Sequence, residues 1–527
     1  MRGDLPRYLR RRQADWHGRP ARGRIAQIRS GPASDGTGDT SVASVASVRV
    51  TRLAGLTRMK SPLLRPLVWA LLTLVAAAPA DVLAANKDRH VVLISLDGFP
   101  AYLWRDQTLA LTHLRRLAAE GVVADAMTIA NPSITWPNHT TLVTGVYPQK
   151  HGVLYNGLVV RGGPAKPNTI EPWADKAKLV RVPTVYDAAF HAGLTTAEID
   201  WVAITRPGTI NWSFAEIVDP TAVLPREMVA AGVATEKEIL AVAEKKPVAS
   251  AHVEPPKRLN AAERDELWTR AASFVFTQHR PNLLMFHPLN TDGQHHRYGP
   301  GSPEGRTALE LADHYVGTLV KAIDASGRRA HTSIVVTTDH GFKKVEKFLY
   351  ANVVLKKAGH LRTAGATIAH CDAFAGTQGG IAMIYVTDPA KRAELVPQLK
   401  ELFAATEGVA QVIDAATGAH AHGMPTPEEN QGMGELILYP KAGYSFSAAA
   451  IGDAIVGPSV NYGGSHGYHS SDPELDGIFI AQGAGIRRGV KLERVRNLDV
   501  APTIAHLLDV ALPTADGKPM EHVLAGP

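Results

Sequence analysis

His90-Val-Val-Leu-Ile-Ser-Leu96 is an unbroken apolar run that stops at Asp97-Gly98. A strand with one wet face alternates apolar and polar side chains. A run without alternation, closed by a turn, suits a strand covered on both faces, as in parallel sheets. Similar runs follow at Leu283-Leu-Met-Phe286, Thr332-Ser-Ile-Val-Val-Thr337, Gly380-Ile-Ala-Met-Ile-Tyr-Val386, Glu435-Leu-Ile-Leu-Tyr439 and Gly477-Ile-Phe-Ile-Ala481. Helical patterns lie between them, at 107–120, 184–192, 258–277, 303–325, 388–404 and 498–508. Strands alternating with helices predict an α/β fold with a mostly parallel central sheet and helices on both faces. Residues 157–280 and 345–460 separate the segments richest in reactive side chains, and are expected to be insertions beside one core rather than separate domains.

Ligands of α/β sheets gather at the carboxyl ends of strands, and the acidic and His-rich spots of this chain fall there. Asp97 ends the first run. Asp292 follows the run at 283–286, with His296 four residues on. Asp339-His340 ends the run at 332–338, and His466 lies in Gly463-Gly-Ser-His-Gly467, ahead of the run at 477–481. Three carboxylates and three imidazoles are a donor mix favoured by borderline divalent metals, zinc above all. A lone Asp at a strand end is more often a helix cap; the combination is the signal. Asn131-Pro-Ser-Ile-Thr-Trp-Pro-Asn-His-Thr-Thr-Leu-Val-Thr-Gly145 adds hydroxyls at Ser133, Thr135, Thr140, Thr141 and Thr144. One at a helix N-terminus beside a metal would be eased towards an alkoxide, and composition does not choose among them.

The 527-residue chain has a formal net charge of +6. Residues 1–58 hold 12 Arg, no Lys and four Asp, a net +8, so the remainder sums to −2. The basicity belongs to the N-terminal tract, and no nucleic-acid-binding surface is inferred. Met59-Lys60-Ser61 and Arg65 precede the apolar run Leu67–Ala78, and Ala78-Pro-Ala80 and Leu83-Ala-Ala85 follow it. That pattern predicts a secretory signal over 59–84, with no membrane anchor after cleavage and a periplasmic or secreted body from 85 to 527. Residues 1–58 are expected to be a disordered or non-native extension. The single cysteine, Cys371, is expected to be a buried small hydrophobe.

The run Thr135-Trp136-Pro137-Asn138-His139 through Thr144-Gly145-Val146-Tyr147-Pro148, then His151-Gly152 and Asn156, resembles the nucleotide pyrophosphatase/phosphodiesterase family of the alkaline phosphatase superfamily. Leu96-Asp97-Gly98-Phe99, Asp292 with His296 before Gly299-Pro300, Thr338-Asp339-His340-Gly341 and His466-Gly467-Tyr468 fit the same family in order. The ending Leu498–Leu508 with Asp516-Gly517-Lys518-Pro519 is similar to the superfamily's last helix and strand. The resemblance runs from about residue 90 to 524. It implies an alkaline phosphatase-like fold and zinc-dependent hydrolysis of phosphodiester or pyrophosphate bonds in small, nucleotide-type substrates. It implies two Zn2+, one held by Asp292, His296 and His466, the other by Asp97, Asp339, His340 and the Thr135 oxygen. Thr135 would be the nucleophile, Asn156 would stabilise the phosphoryl oxygens, and Trp136, where the family usually has Phe, would pack on a base. Tyr155, Trp201 and Trp212 are further aromatic candidates for the pocket rim. His469 departs from the family's usual Asp, while His295, His360, His370, His420 and His422 are expected to lie outside the ligand set. A phosphomonoesterase or phosphonate hydrolase of the same superfamily, or a non-catalytic zinc-binding exported protein, is the alternative.

Overall fold

The computed structural model describes residues 85–216, 218–243 and 259–526. The extension 1–58, the signal expected over 59–84 and residues 244–258 lie outside the described residues. Described residues fall within one compact unit, Asp81–Pro527.

The strands central to the site, in chain order, are β1 (His90–Ser95), β2 (Val122–Thr128), β3 (Thr196–Ile199), β4 (Trp212–Phe214), β5 (Leu283–Phe286), β6 (Thr332–Thr337), β7 (Ala373–Gln378), β8 (Ile381–Val386), β9 (Val409–Asp414), β10 (Leu436–Pro440), β11 (Gly477–Gly483) and β12 (Val490–Arg496). Eight of them form the main sheet in the order β12-β2-β11-β6-β1-β5-β3-β4. Its pairings are parallel except those of β11, which runs antiparallel to both β2 and β6. The runs at 380–386 and 435–439 belong to a second, antiparallel sheet, β7-β8-β10-β9, inside the 345–460 stretch. From the 157–280 stretch, β3 and β4 extend the edge of the main sheet. They are short, and Glu198 and Ser213 break their apolar character, so neither shows as an apolar run in the sequence.

Side chains of β1 alternate between two cores. Val92 and Ile94 join the helices α1 (Thr112–Glu120), α3 (Ala261–His279) and α5 (Pro303–Ala325) on one face. Val91 and Leu93 join α2 (Thr135–Thr144) and α6 (Val500–Leu507) on the other. Helices therefore cover both faces, and this is why β1 reads as continuously apolar. Local chemistry sets the helix ends. Asn260 and Glu263 form a capping box on α3, and the Ser302 hydroxyl accepts from Gly305 N–H at the start of α5, ahead of Pro303. No helix among the described residues is long and apolar enough to cross a membrane.

Candidate metal centre

Strands β6, β1 and β5 are parallel neighbours, in register from Ser95↔Thr337 to Ile94↔Phe286. Their carboxyl ends therefore open side by side, which brings Asp339 and His340, Asp97, and the loop into α4 (Asn290–Tyr298) together. On α4, Asp292 and His296 are one turn apart and share a face. Gly98 makes the tight turn after β1 with φ +66; a Cβ there would sit 3.0 Å from the Phe342 ring and 3.4 Å from Asp292 Cα. Phe342 floors the site, its ring centroid 4.8 Å from that of His296 and 5.5 Å from that of His466.

Each of the three imidazoles is oriented through Nδ1. His296 Nδ1 faces Gly464 O at 3.1 Å, His466 Nδ1 faces Ser133 O at 2.9 Å, and His340 Nδ1 faces Gly341 O at 3.1 Å. Nδ1 must donate to a carbonyl, so in the neutral ring Nε2 carries a lone pair. Those lone pairs converge on carboxylates. His296 Nε2 is 3.3 Å and His466 Nε2 3.5 Å from Asp292 Oδ1. His340 Nε2 is 3.4 Å from Asp97 Oδ1 and 3.1 Å from Asp339 Oδ2. These same three oxygens, Asp97 Oδ1, Asp292 Oδ1 and Asp339 Oδ2, are buried without a hydrogen-bond partner. The other Asp339 oxygen is fixed by the N–H groups of Gly98 at 3.0 Å and His340 at 2.9 Å. Acceptors facing acceptors in a buried site repel, and a cation between them removes the repulsion. The donor set fits divalent metal in two groups, Asp292/His296/His466 and Asp97/Asp292/His340. The first is the set implied by the resemblance. The second shares Asp97 and His340 with the other implied set, whose Asp339 lies against His340.

Electrostatics of the cluster are correspondingly uneven. Burial, then the Asp339 and Asp292 carboxylates, raise Asp97 well above the usual carboxylate range. Burial opposes ionisation of Asp292, but His296 beside it prevails and holds Asp292 low. Burial pulls the histidines down, His340 to about 4 and His466 to about 3. His296 is subject to the same burial, yet the Asp292 carboxylate outweighs it and raises its affinity for a proton.

Thr135 is the first residue of α2, a helix whose ten residues are all buried. Its Oγ1 lies 3.4 Å from His340 Nε2. The other hydroxyls of this region are engaged elsewhere: Ser133 donates to Tyr468 O, Thr140 to Trp136 O, Thr144 to Thr140 O, and Thr141 pairs with His151 Nε2. At the helix mouth, Trp136 N–H donates to Asn156 Oδ1 at 3.0 Å and Pro137 has no N–H. Thr135 N–H has no intrahelical acceptor. The bond to Trp136 fixes the Asn156 amide with its oxygen on the helix, leaving its NH2 for an anion at the same mouth.

Trp136 is 7% exposed and packs with Val153, Leu179, Val180 and Val202, its ring 6.2 Å from that of partly exposed Trp173. The remaining aromatic candidates do not form a rim. Tyr155 belongs to the core of the second sheet, and Trp201 packs edge-on against His139 at 4.8 Å. Trp212 stacks on His279 at 4.4 Å. His295 turns Nδ1 to Gly98 O, away from the ligand cluster, and His469 Nε2 pairs with His422 Nδ1 at 2.7 Å. Cys371 is buried and unpaired by disulfide. Two histidines went unnoticed in the sequence. His139 reaches Thr135 O at 2.9 Å and lies 3.6 Å from Asp339 Oδ2, while His287 reaches Asp97 Oδ2 at 3.1 Å. His287 directly follows β5, so the strand-end rule that flagged Asp97 would have found it; His139 sits one turn beyond Thr135, visible only once the helix is placed.

The family model described as type I phosphodiesterase/nucleotide pyrophosphatase matches residues 91–469. Human ectonucleotide pyrophosphatase/phosphodiesterase family member 7 is 24% identical over 470 residues, covering 86% of this chain and 87% of the relative. The mouse member 7 is 24% identical over 462 residues, covering 84% and 89%. Among solved structures, murine ectonucleotide pyrophosphatase/phosphodiesterase 5 superposes with a TM-score of 0.60 at 18% identity, over 83% of this chain and all of that one. An inactive Thr-to-Ala variant of the murine protein in complex with AMP gives a TM-score of 0.58 at 17% identity. The solved structures share the fold, and the family-model match, which spans more than half of the chain, shows that the chain belongs to the type I phosphodiesterase/nucleotide pyrophosphatase family.

Proposed function

We propose that this chain hydrolyses phosphodiester or pyrophosphate bonds of small, nucleotide-type substrates with two zinc ions and a phosphothreonine intermediate on Thr135. The observation that carries the reading is the convergence of three imidazole lone pairs and three unpartnered carboxylate oxygens beside the Thr135 hydroxyl, whose Oγ1 lies 3.4 Å from His340 Nε2. Asp292, His296 and His466 would hold one cation, and Asp97, Asp339, His340 and the Thr135 oxygen the other. When bound, the pair would supply Lewis-acid charge at the attacking and leaving oxygens.

The rest of the chemistry belongs to the chain. Thr135, at a helix N-terminus, gives its hydroxyl proton to solvent and attacks phosphorus, and the departing oxygen takes a proton back from solvent. A P–Oγ1 bond forms and the bond to the leaving oxygen breaks. Water then attacks the phosphothreonine, the P–Oγ1 bond breaks, and the hydroxyl is restored. The Asn156 NH2 and the Thr135 N–H donate to the non-bridging oxygens as their charge grows. Neutral Asn156, in place of a guanidinium, suits the single charge of a diester better than the extra charge of a monoester. Purified protein should cleave bis(4-nitrophenyl) phosphate faster than 4-nitrophenyl phosphate and lose that activity to a chelator. A preference for the monoester would overturn the diesterase reading.

A nucleobase would stack on the indoles of Trp136 and Trp173. Base–aromatic stacking contributes about 1–3 kcal/mol, so Trp136→Ala should raise KM for a nucleoside phosphodiester by about 5- to 150-fold. KM for a small methyl aryl diester should change far less. Equal losses on the two substrates would assign Trp136 to packing alone, a role its burial also suits.

Export is part of the same reading. Residues 59–84 are proposed as a signal removed on secretion, so N-terminal sequencing of the native protein should start near Asp81 or Ala85. A mature chain retaining Arg2–Arg58 would refute it.

A further inference from the structure

We propose that Asn138, secured by Asn497, is a positioning residue that fixes the loop shared by the nucleophile and the first metal site. The loop Ala130-Asn-Pro-Ser-Ile134 leads straight into Thr135 without regular secondary structure, so its buried backbone groups need other partners. One side chain supplies most of them. Asn138, fully buried one turn into α2, accepts Ala130 N–H at 2.9 Å through Oδ1. Its NH2 donates to Ala130 O at 3.3 Å, Pro132 O at 3.0 Å and Ile134 O at 3.1 Å. The second lone pair of Oδ1 takes the NH2 of Asn497 at 2.8 Å. Two donors on Oδ1 and three carbonyls on Nδ2 leave the amide only one orientation.

This loop touches both halves of the site. Ile134 precedes Thr135, and Ser133 O accepts from His466 Nδ1 at 2.9 Å and from Gly467 N–H at 2.9 Å. A shift of the loop therefore moves the attacking oxygen and turns the imidazole of one proposed ligand. Asn497 reaches the amide from beyond residue 469, where the family match ends. The same C-terminal stretch holds the far end of α2, where Asp516 and Gly517 N–H donate to Gly145 O at 2.9 and 3.0 Å. Gly145 ends the helix at φ +68, where a Cβ would come within 3.0 Å of Ala515 and Pro502. The helix carrying Thr135 is thus braced at both ends by the C-terminal stretch.

Asn138→Asp tests this without changing shape, because it places a carboxylate oxygen against three carbonyls while Oδ1 keeps its donors. Asn497→Ala removes only the second donor and is the milder variant should Asn138→Asp fail to fold. A displacement of about 1 Å costs about 10²-fold in rate. At saturating zinc, kcat on bis(4-nitrophenyl) phosphate should fall about 10²-fold for Asn138→Asp and about 10-fold for Asn497→Ala, with KM within about twofold. Combining Asn138→Asp with Asn497→Ala should cost little beyond Asn138→Asp alone, because the two residues act through one amide. Zinc affinity at the His466 site, read by chelator competition without substrate, should fall about 10-fold in Asn138→Asp. The inference rests on the proposed function for its rates only. If the wild type cleaves no diester, that function fails, while the zinc comparison still decides the role of Asn138. Variants that lose thermal stability but keep wild-type kcat and zinc affinity would overturn the inference, as would additive losses in the double variant.

Discussion

Thr135→Ala is expected to keep two zinc ions per chain and to lose kcat on a phosphodiester by about 10⁴-fold or more. The six side-chain ligands other than Thr135 are untouched, and alanine suits the first turn of a helix at least as well as threonine. The loss should therefore be chemical and not a failure to fold. Thr135→Ser restores a hydroxyl at the same carbon and should recover part of the rate. Acid quenching of the wild type during turnover should trap phosphate on Thr135, and the alanine variant should trap none. The other four hydroxyls of the region each have a partner of their own, so none is placed to take over. Diester hydrolysis by Thr135→Ala at near wild-type rate would mean that water attacks directly and that no covalent intermediate forms.

What was legible in the sequence was set by strand chemistry. Runs such as 90–96 and 332–337 are apolar because helices cover both sheet faces, and the polar residue ending each run lies where ligands bind. Asp97, Asp339 and His340 could be read on that ground alone, and the four-residue spacing of Asp292 and His296 needed only one helical turn. The nucleophile was not legible in this way. Five hydroxyls crowd residues 133–144 and composition leaves them equal; the family resemblance singled out Thr135, and the hydrogen bonds give the other four partners of their own. Aromatic placement was least accessible, because Tyr155, Trp201 and Trp212 look like rim residues by type but lie in the second core, against His139 and against His279. The edge strands β3 and β4 escaped because Glu198 and Ser213 break their apolar runs, whereas β5, no longer than β3, is apolar throughout. The roles of Asn138 and His139 escaped because their partners are backbone atoms and side chains far away in the sequence, which leave no local pattern.

Removal of Asp339 should show how the two metals depend on their ligands. Asp339→Ala should lose about one zinc per chain along with activity, but it also strips the N–H groups of Gly98 and His340 of their acceptor, at about 1–3 kcal/mol for each buried group left unpaired. Asp339→Asn separates the two effects. Its oxygen still accepts both N–H groups while the charge facing His340 Nε2 is gone, so the fold should hold and the metal should still leave. Acidification should empty the sites in a defined order. A proton and a metal compete for the same Nε2. Burial keeps His340 and His466 neutral until pH falls to about 4 and about 3. His296, whose burial is outweighed by its partner Asp292, takes up its proton at a higher pH than an ordinary histidine. Judged by its histidines, the Asp292–His296–His466 site should release its zinc at the higher pH, with activity falling alongside; earlier loss from the Asp97–Asp339–His340 site would mean that Asp97, raised well above the usual carboxylate range, sets the order instead. Zinc content measured after gel filtration across a pH series reads both steps. Simultaneous loss of both ions would refute the order derived from His296, and a wild-type chain that binds no zinc at neutral pH would remove the two-metal mechanism altogether.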